Sequence, residues 1–278
     1  MKTIEGKFEG LDGLKLYYQG WMPENDPKAI IQVVHAFAEH SGRYKNIINE
    51  LIPLNYAVYA HDLRGHGKSD GIRNFVENMG HYVDDQKIFY DLLKNKHPNL
   101  PFIMLGHSFG AVIILNFLKT HEKLIKRAIL SALGTKLAVK SSGLMKLLAK
   151  IFSKIFPRMK TSSGLKPELL SHDLEVVKAY MEDPFVNYKK ITARLGYIMI
   201  KSFEEIPEIL QDLKIPILIQ CGSEDRLVSG ALELKEMIKN ENIKIIVYEG
   251  LYHEVYNETE NYRTQVFKDL FEWLKEHV

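Results

Sequence analysis

The sequence predicts an α/β fold: a mostly parallel central sheet with antiparallel N-terminal strands, helices on both faces, and an inserted helical cap. Three observations predict it. Short apolar runs alternate with helix-length segments along most of the chain, the pattern of strands joined by crossover helices. The runs lack polar alternation, which suits strands buried on both faces. The rhythm breaks once, over roughly residues 135–210, and then resumes.

Taken in order, residues 4–9 and 14–21 flank Asp12-Gly13 and predict an opening hairpin. The apolar runs Ile30–His35, Ala57–His61, Phe102–Gly106 and Ala128–Ser131 predict four further strands. Ile215–Cys221 and Ile243–Tyr248 predict the last two. Helices are expected near 43–53, 80–96, 109–121, 230–240 and 261–276. The core is therefore placed at 1–134 and 211–278, and the cap at 135–210. Within the cap, Leu144, Leu147, Leu148, Ile151, Phe152, Ile155 and Phe156 follow a 3.6 period, and Pro157 ends that helix. Lys146, Lys150 and Lys154 repeat every four residues on its other face. From Gly134 to Lys166 there are eight basic residues, Lys136 and Lys140 among them, and no acidic one.

Composition narrows the function classes. The 278 residues are 46% hydrophobic and 26% charged, as in ordinary globular proteins. Net charge is only +2, so no chain-wide basic field argues for a nucleic-acid partner. Cys221 is the single cysteine, which excludes an intramolecular disulfide and a Cys-rich zinc site. The start, MKTIEGKFEG, has no apolar signal-peptide region. The most apolar long stretch, Phe102 to Leu118, contains His107, Ser108 and Asn116 and is too short and polar to span a bilayer. A cytoplasmic protein, at most peripheral to a membrane, is expected.

The strongest chemical signal is Gly106-His107-Ser108-Phe109-Gly110, between the apolar run FIML and the helical AVIILNFLK. This is G-x-S-x-G in the strand–turn–helix setting that gives it meaning. The turn projects a serine hydroxyl above the sheet, and the glycines leave room for the adjoining backbone. A serine hydroxyl needs a base to take its proton, here a histidine oriented by a carboxylate in the order Ser, Asp/Glu, His. Gly222-Ser223-Glu224-Asp225-Arg226 follows one predicted strand, and Gly250-Leu251-Tyr252-His253-Glu254 follows another. Ser108 and His253 are the expected nucleophile and base. Asp225 and Glu224 compete for the carboxylate role, with Asp225 preferred. Two backbone N–H groups should hold the oxyanion; Phe109 supplies one, and Phe37, in His35-Ala36-Phe37-Ala38-Glu39-His40, the other.

These segments resemble the monoacylglycerol lipase and lysophospholipase group of α/β-hydrolase-fold serine hydrolases. HAFAEHSGRY (35–44), HDLRGHGKSDG (61–71), GHSFG, GSEDRLV (222–228) and YEGLYHEVYNE (248–258) carry the resemblance, which covers nearly the whole chain. It implies an α/β-hydrolase fold, cleavage of lipid carboxylic esters without a cofactor or metal, and Asp225 as the triad carboxylate. Monoacylglycerol is the expected substrate; a lysophospholipid or a general carboxylic ester is the alternative, and a non-catalytic binding protein a more distant one. The resemblance also suggests that Glu39 and Arg43 contact a glycerol headgroup, against the simpler reading of a loop salt bridge. Ala36 and Ala38 stand where the group usually has glycine, so a tighter or displaced oxyanion loop is expected. The basic cap helix is expected either to dock on a lipid surface or to pack its apolar stripe on the core.

Overall fold

The computed structural model describes residues 1–137 and 143–276. β1 (Lys2–Glu9) and β2 (Lys15–Met22) pair antiparallel with Lys7 opposite Tyr17. The turn between them places Asp12 at φ 62° and Gly13 at φ 75°, left-handed conformations that Asp and Gly tolerate best. β3 (Ala29–Val34), α1 (Lys45–Leu51), β4 (Tyr56–His61), α2 (Met79–Lys96), β5 (Phe102–His107), α3 (Phe109–His121) and β6 (Arg127–Ser131) follow. The inserted segment then carries α4 (Gly143–Ile155), α5 (Leu174–Glu182), α6 (Ala193–Glu204) and α7 (Ile206–Asp212). The chain closes with β7 (Ile217–Gly222), α8 (Ala231–Met237), β8 (Ile243–Tyr248) and α9 (Glu260–Glu276).

The eight strands form one sheet in the order β1-β2-β4-β3-β5-β6-β7-β8. β2 runs antiparallel to β4, and every pairing from β4 onward is parallel. This is the architecture the sequence predicts. β3, β4, β5 and β7 are buried at every residue, so each strand feeds two cores. Ile30, Met104, Leu130 and Ile219 face one side, with Phe89 of α2 and Ile113 and Phe117 of α3. Ile31, Ile103, Ile129 and Leu218 face the other, with Ile47 of α1 and Val266, Leu270 and Trp273 of α9. The period-two alternation of a strand sorts neighbouring residues between the layers.

The inserted segment does not pack as a detached body. Leu195 and Phe203 of α6 and Ile206 and Leu210 of α7 join the same cluster as α3. Two short antiparallel pairs staple it, Lys160–Ser162 with Lys190–Thr192 and Lys136–Leu137 with Val228–Ser229. α4 is different. Leu147, Leu148, Ile151, Phe152 and Ile155 are between 41% and 62% exposed, while Ser153 is fully buried. The stripe therefore does not pack on the core. Lys146 bridges to Glu204 on α6. Lys140 and the side chain of Leu144 lie outside the described residues. Among the described residues, no helix is long and apolar enough to cross a membrane.

A parallel sheet brings the carboxyl ends of its strands to one edge, where ligands bind in open α/β sheets. β3 runs there into residues 35–44, β5 into Ser108, β7 into Asp225 and β8 into His253.

Candidate active site

Ser108 sits at the turn between β5 and α3, with φ 50° and ψ −117°. A non-glycine residue there stores roughly 1–3 kcal/mol of strain, and its neighbours explain how the turn is held. The Ser108 N–H donates to Ser131 O at 2.8 Å, and its carbonyl accepts from Ala111 and Val112 N–H. A Cβ on Gly106 would lie 2.7 Å from the Ala111 backbone, and one on Gly110 would lie 2.1 Å from Val34 O. Both glycines are thus required by close packing of strand, turn and helix.

His253 Nδ1 lies 2.7 Å from Asp225 Oδ2, and both side chains are buried. The other Asp225 oxygen accepts the Leu227 and Val228 N–H groups at 2.8 and 2.9 Å. Glu224 is exposed and reaches Arg226 at 3.6 Å. An ionised carboxylate only accepts, so Nδ1 carries the His253 proton and Nε2 is left as an acceptor. Burial works against protonation of His253, but the Asp225 charge and hydrogen bond outweigh it. Glu254 and Glu39 add to them, and its pKa stands above the ordinary value. The arrangement makes an imidazole ready to take a proton and able to hold it as an imidazolium.

The loop after β3 carries Phe37, the residue expected to offer the second amide. Leu63 N–H donates to His35 Nε2 at 2.8 Å, so Nδ1 carries the proton and donates to Ala36 O at 2.7 Å. Glu39 Oε1 accepts the Ala36 N–H at 2.8 Å and the Tyr44 hydroxyl at 2.7 Å. Ala38 adopts φ 68°. The methyl group has not moved the backbone out of the left-handed region; the loop carries its cost instead, about 1–2 kcal/mol. Among the described residues, neither the Phe37 nor the Phe109 N–H has a hydrogen-bond partner. Phe109 is the first residue of α3, where backbone N–H groups have no intrahelical acceptor.

Glu39 and Arg43 line the cavity, and their polar atoms are committed to a buried network. The Arg43 guanidinium bonds Glu39 and meets Glu254 in a fork at 2.7 and 2.9 Å. Burial would raise the Glu39 pKa, but Arg43 and neighbouring groups hold it down at about 2. Glu254, Tyr44 and His107 were not singled out from the sequence. Glu254 is adjacent to His253 in YHEVYNE, the one signal that marked it. Asp62, Arg64 and Ser69 brace loops. Asp62 accepts the Ser41 and Lys68 N–H groups, Arg64 forks onto Asp85, and Ser69 accepts the Tyr17 N–H.

Ser108, His253 and Phe37 open onto a cavity of about 700 Å³. Its walls are mainly apolar and include Leu148 and Phe152 of α4, Met199 and Ile200 of α6, Leu170 and Val228. This volume lies in the roughly 300–1,000 Å³ range of pockets that enclose a small ligand.

Three other histidines are buried in neutral form. Burial lowers His61 and His66 to about 3 and His107, beside His253, to about 4. The unfolded chain protonates these near pH 6.5 and the folded chain far lower, so their stability is present above that pH and lost as pH falls. The melting temperature, measured at constant ionic strength, is expected to decline steadily from pH 6.5 to 4. A constant value across that window would contradict these assignments.

Comparison with known proteins identifies the family and the fold. The Hydrolase_4 family, described as serine aminopeptidase, S33, matches residues 25–260. The monoacylglycerol lipase of Mycolicibacterium smegmatis is 32% identical over 99% of this chain and 98% of its own length. The monoglyceride lipase of Homo sapiens is 30% identical over 96% of this chain and 89% of its own. The crystal structure of Paleococcus ferrophilus monoacylglycerol lipase superposes with a TM-score of 0.82, at 28% identity and full coverage of both chains.

Proposed function

The chain belongs to the Hydrolase_4 family and is a carboxylic ester hydrolase of the α/β-hydrolase fold, and from that premise we propose that its ester is a monoacylglycerol, cleaved to glycerol and a free fatty acid. The reading rests on one observation above all. Ser108, Phe37 and His253, the last paired with Asp225, line one largely apolar cavity suited to a single acyl chain.

Ser108 Oγ attacks the ester carbonyl while His253 Nε2 takes its proton. Asp225 fixes the tautomer and stabilises the imidazolium. The Phe37 and Phe109 N–H groups receive the negative charge that develops on the carbonyl oxygen. His253 then passes the proton to the departing glycerol oxygen. Water, deprotonated by His253, attacks the acyl-enzyme, and collapse returns the proton to Ser108. Glu39 and Arg43 hold the oxyanion loop rather than the glycerol, because their polar atoms already bond one another and their neighbours.

A hydrolysis series tests the substrate. Monoacylglycerols are expected to give a higher kcat/KM than diacylglycerols, lysophosphatidylcholine or short p-nitrophenyl esters. A higher value on lysophosphatidylcholine would move the assignment to a lysophospholipase.

Segment 135–210 serves as the cap, and α4 as its contact with lipid. Its open apolar stripe is flanked by Lys150 and Lys154, while Lys146 is engaged with Glu204. Such a helix lies in an interface with its apolar face in the acyl boundary, and each lysine adds about 1 kcal/mol near an anionic surface. Binding to anionic vesicles should exceed binding to neutral ones at low salt and fall as salt shortens the screening length. Lys150→Gln with Lys154→Gln should remove the difference and leave a soluble short-chain ester hydrolysed at nearly the original rate. Equal binding before and after the change would make these lysines a solvated face only.

A further inference from the structure

A buried carboxylate outside the triad ties the cap to the loop that carries the base. Glu258 lies five residues beyond His253 and has no exposed surface. Its Oε1 accepts the Tyr252 N–H at 2.9 Å and lies 3.0 Å from His172 Nδ1. Its Oε2 accepts the His172 backbone N–H at 3.0 Å and faces the Ser171 hydroxyl at 3.3 Å. The same hydroxyl lies 2.9 Å from Asn257 O. Ser171 and His172 belong to the inserted segment, whereas Tyr252 is the residue before the base. On the far side of the base, the Glu254 N–H donates to Leu170 O at 2.8 Å. The His172 ring lies against Tyr252, tilted by 30°, with centroids 3.7 Å apart. Both peptide neighbours of His253 are therefore fastened, directly or through Glu258, to residues 170–172.

We propose that Glu258 is a positioning residue for His253. By gathering the Tyr252 amide, Ser171 and His172 onto one carboxylate, it sets where the imidazole stands relative to Ser108 and makes the cap and the base move together. This rests on the reading of His253 as the general base. The chemistry of the side chain supports it. Three N–H donors and a shared hydroxyl converge on two oxygens, a pair of acceptors that a carboxylate offers and a side-chain amide does not. A glutamine would turn its NH₂ toward one pair of donors, leaving those donors unpaired and pushing the two segments apart. The base would shift with its loop, and a displacement of about 1 Å costs on the order of 10²-fold in rate.

Glu258→Gln in the full-length protein, assayed on soluble p-nitrophenyl butyrate, is expected to lower kcat by about 10²-fold with little change in KM. The acid limb of the pH profile should move to lower pH, because an imidazole drawn away from Asp225 loses part of the charge that favours its proton. The farthest-downfield imidazole N–H signal in the proton NMR spectrum should move upfield for the same reason. A folded Glu258→Gln protein with unchanged kcat and acid limb would overturn the proposal. His253→Ala, run beside it, separates the two ideas: if that variant stays active, it is the assignment of the base that fails. Should Glu258→Gln not fold, His172→Phe decides, since it keeps the ring on Tyr252 and removes only the Nδ1 donor. It is expected to lower kcat and shift the acid limb in the same direction; unchanged values would overturn the proposal.

Discussion

Ser108→Ala is expected to yield a folded protein that takes no label from a fluorophosphonate and turns over esters about 10⁶-fold more slowly, the scale of loss when a serine nucleophile is removed. The fold should survive because the Ser108 side chain makes no capping hydrogen bond to α3 and faces the cavity. Alanine inherits the same φ of 50°, so the strain is carried over and the melting temperature should move little. Some rate above the uncatalysed reaction should remain, since the Phe37 and Phe109 amides, which have no partner among the described residues, are untouched. Stoichiometric labelling of the alanine variant would remove Ser108 from the nucleophile's role.

Asp225→Asn should cost about 10⁴-fold in kcat, as in serine proteases where the same change leaves the geometry intact. The local bonds specify why. Leu227 and Val228 N–H groups hold Oδ1, so the amide oxygen of an asparagine keeps that place and its NH₂ faces His253. That donor forces the His253 proton from Nδ1 to Nε2, where it can no longer accept from Ser108. The acid limb of activity should fall toward the ordinary histidine value, because the charge that raises His253 is gone. Glu224→Gln should change kcat by no more than a few fold, since Glu224 is exposed and, among the described residues, its side chain pairs only with Arg226. Reversed effects would exchange the two roles.

The strands were legible because burial on both faces leaves a nearly continuous apolar run, broken in Ile30–Val34 by Gln32 alone and in Ile217–Cys221 by Gln220 alone. The Ser108 turn was legible because its two glycines answer to backbone contacts that no other residue satisfies. α4 shows where reading stops. Its 3.6 period was plain, but a period does not say which face meets the protein, and here Ser153 turns inward while Ile151 and Ile155 turn out. Ion networks are illegible for a related reason. Glu39 and Arg43 are four residues apart and suggest each other; Glu254 joins them from 211 residues away, a proximity created by the sheet alone. The amides of the oxyanion loop leave no side-chain signature at all, so Phe37 was placed by its position after β3 and by resemblance.

The way residues 135–210 are attached bears on modularity. Its middle grips the loop after β3: Asn187 N–H donates to Ala38 O at 2.8 Å, and Asp183 lies 2.9 Å from His40 Nε2. A neighbouring stretch grips the loop of His253 through Leu170, Ser171 and His172. Such a segment is not an interchangeable cassette. A chimera joined cleanly at its boundaries, but carrying other residues at 170–172, 183 and 187, would import new cavity walls and at the same time loosen both the loop after β3 and the loop of His253, the two halves of the proposed reaction centre. Engineering of chain-length preference in this scaffold therefore has to graft walls, such as Leu148, Phe152 and Met199, while leaving those anchor positions in place.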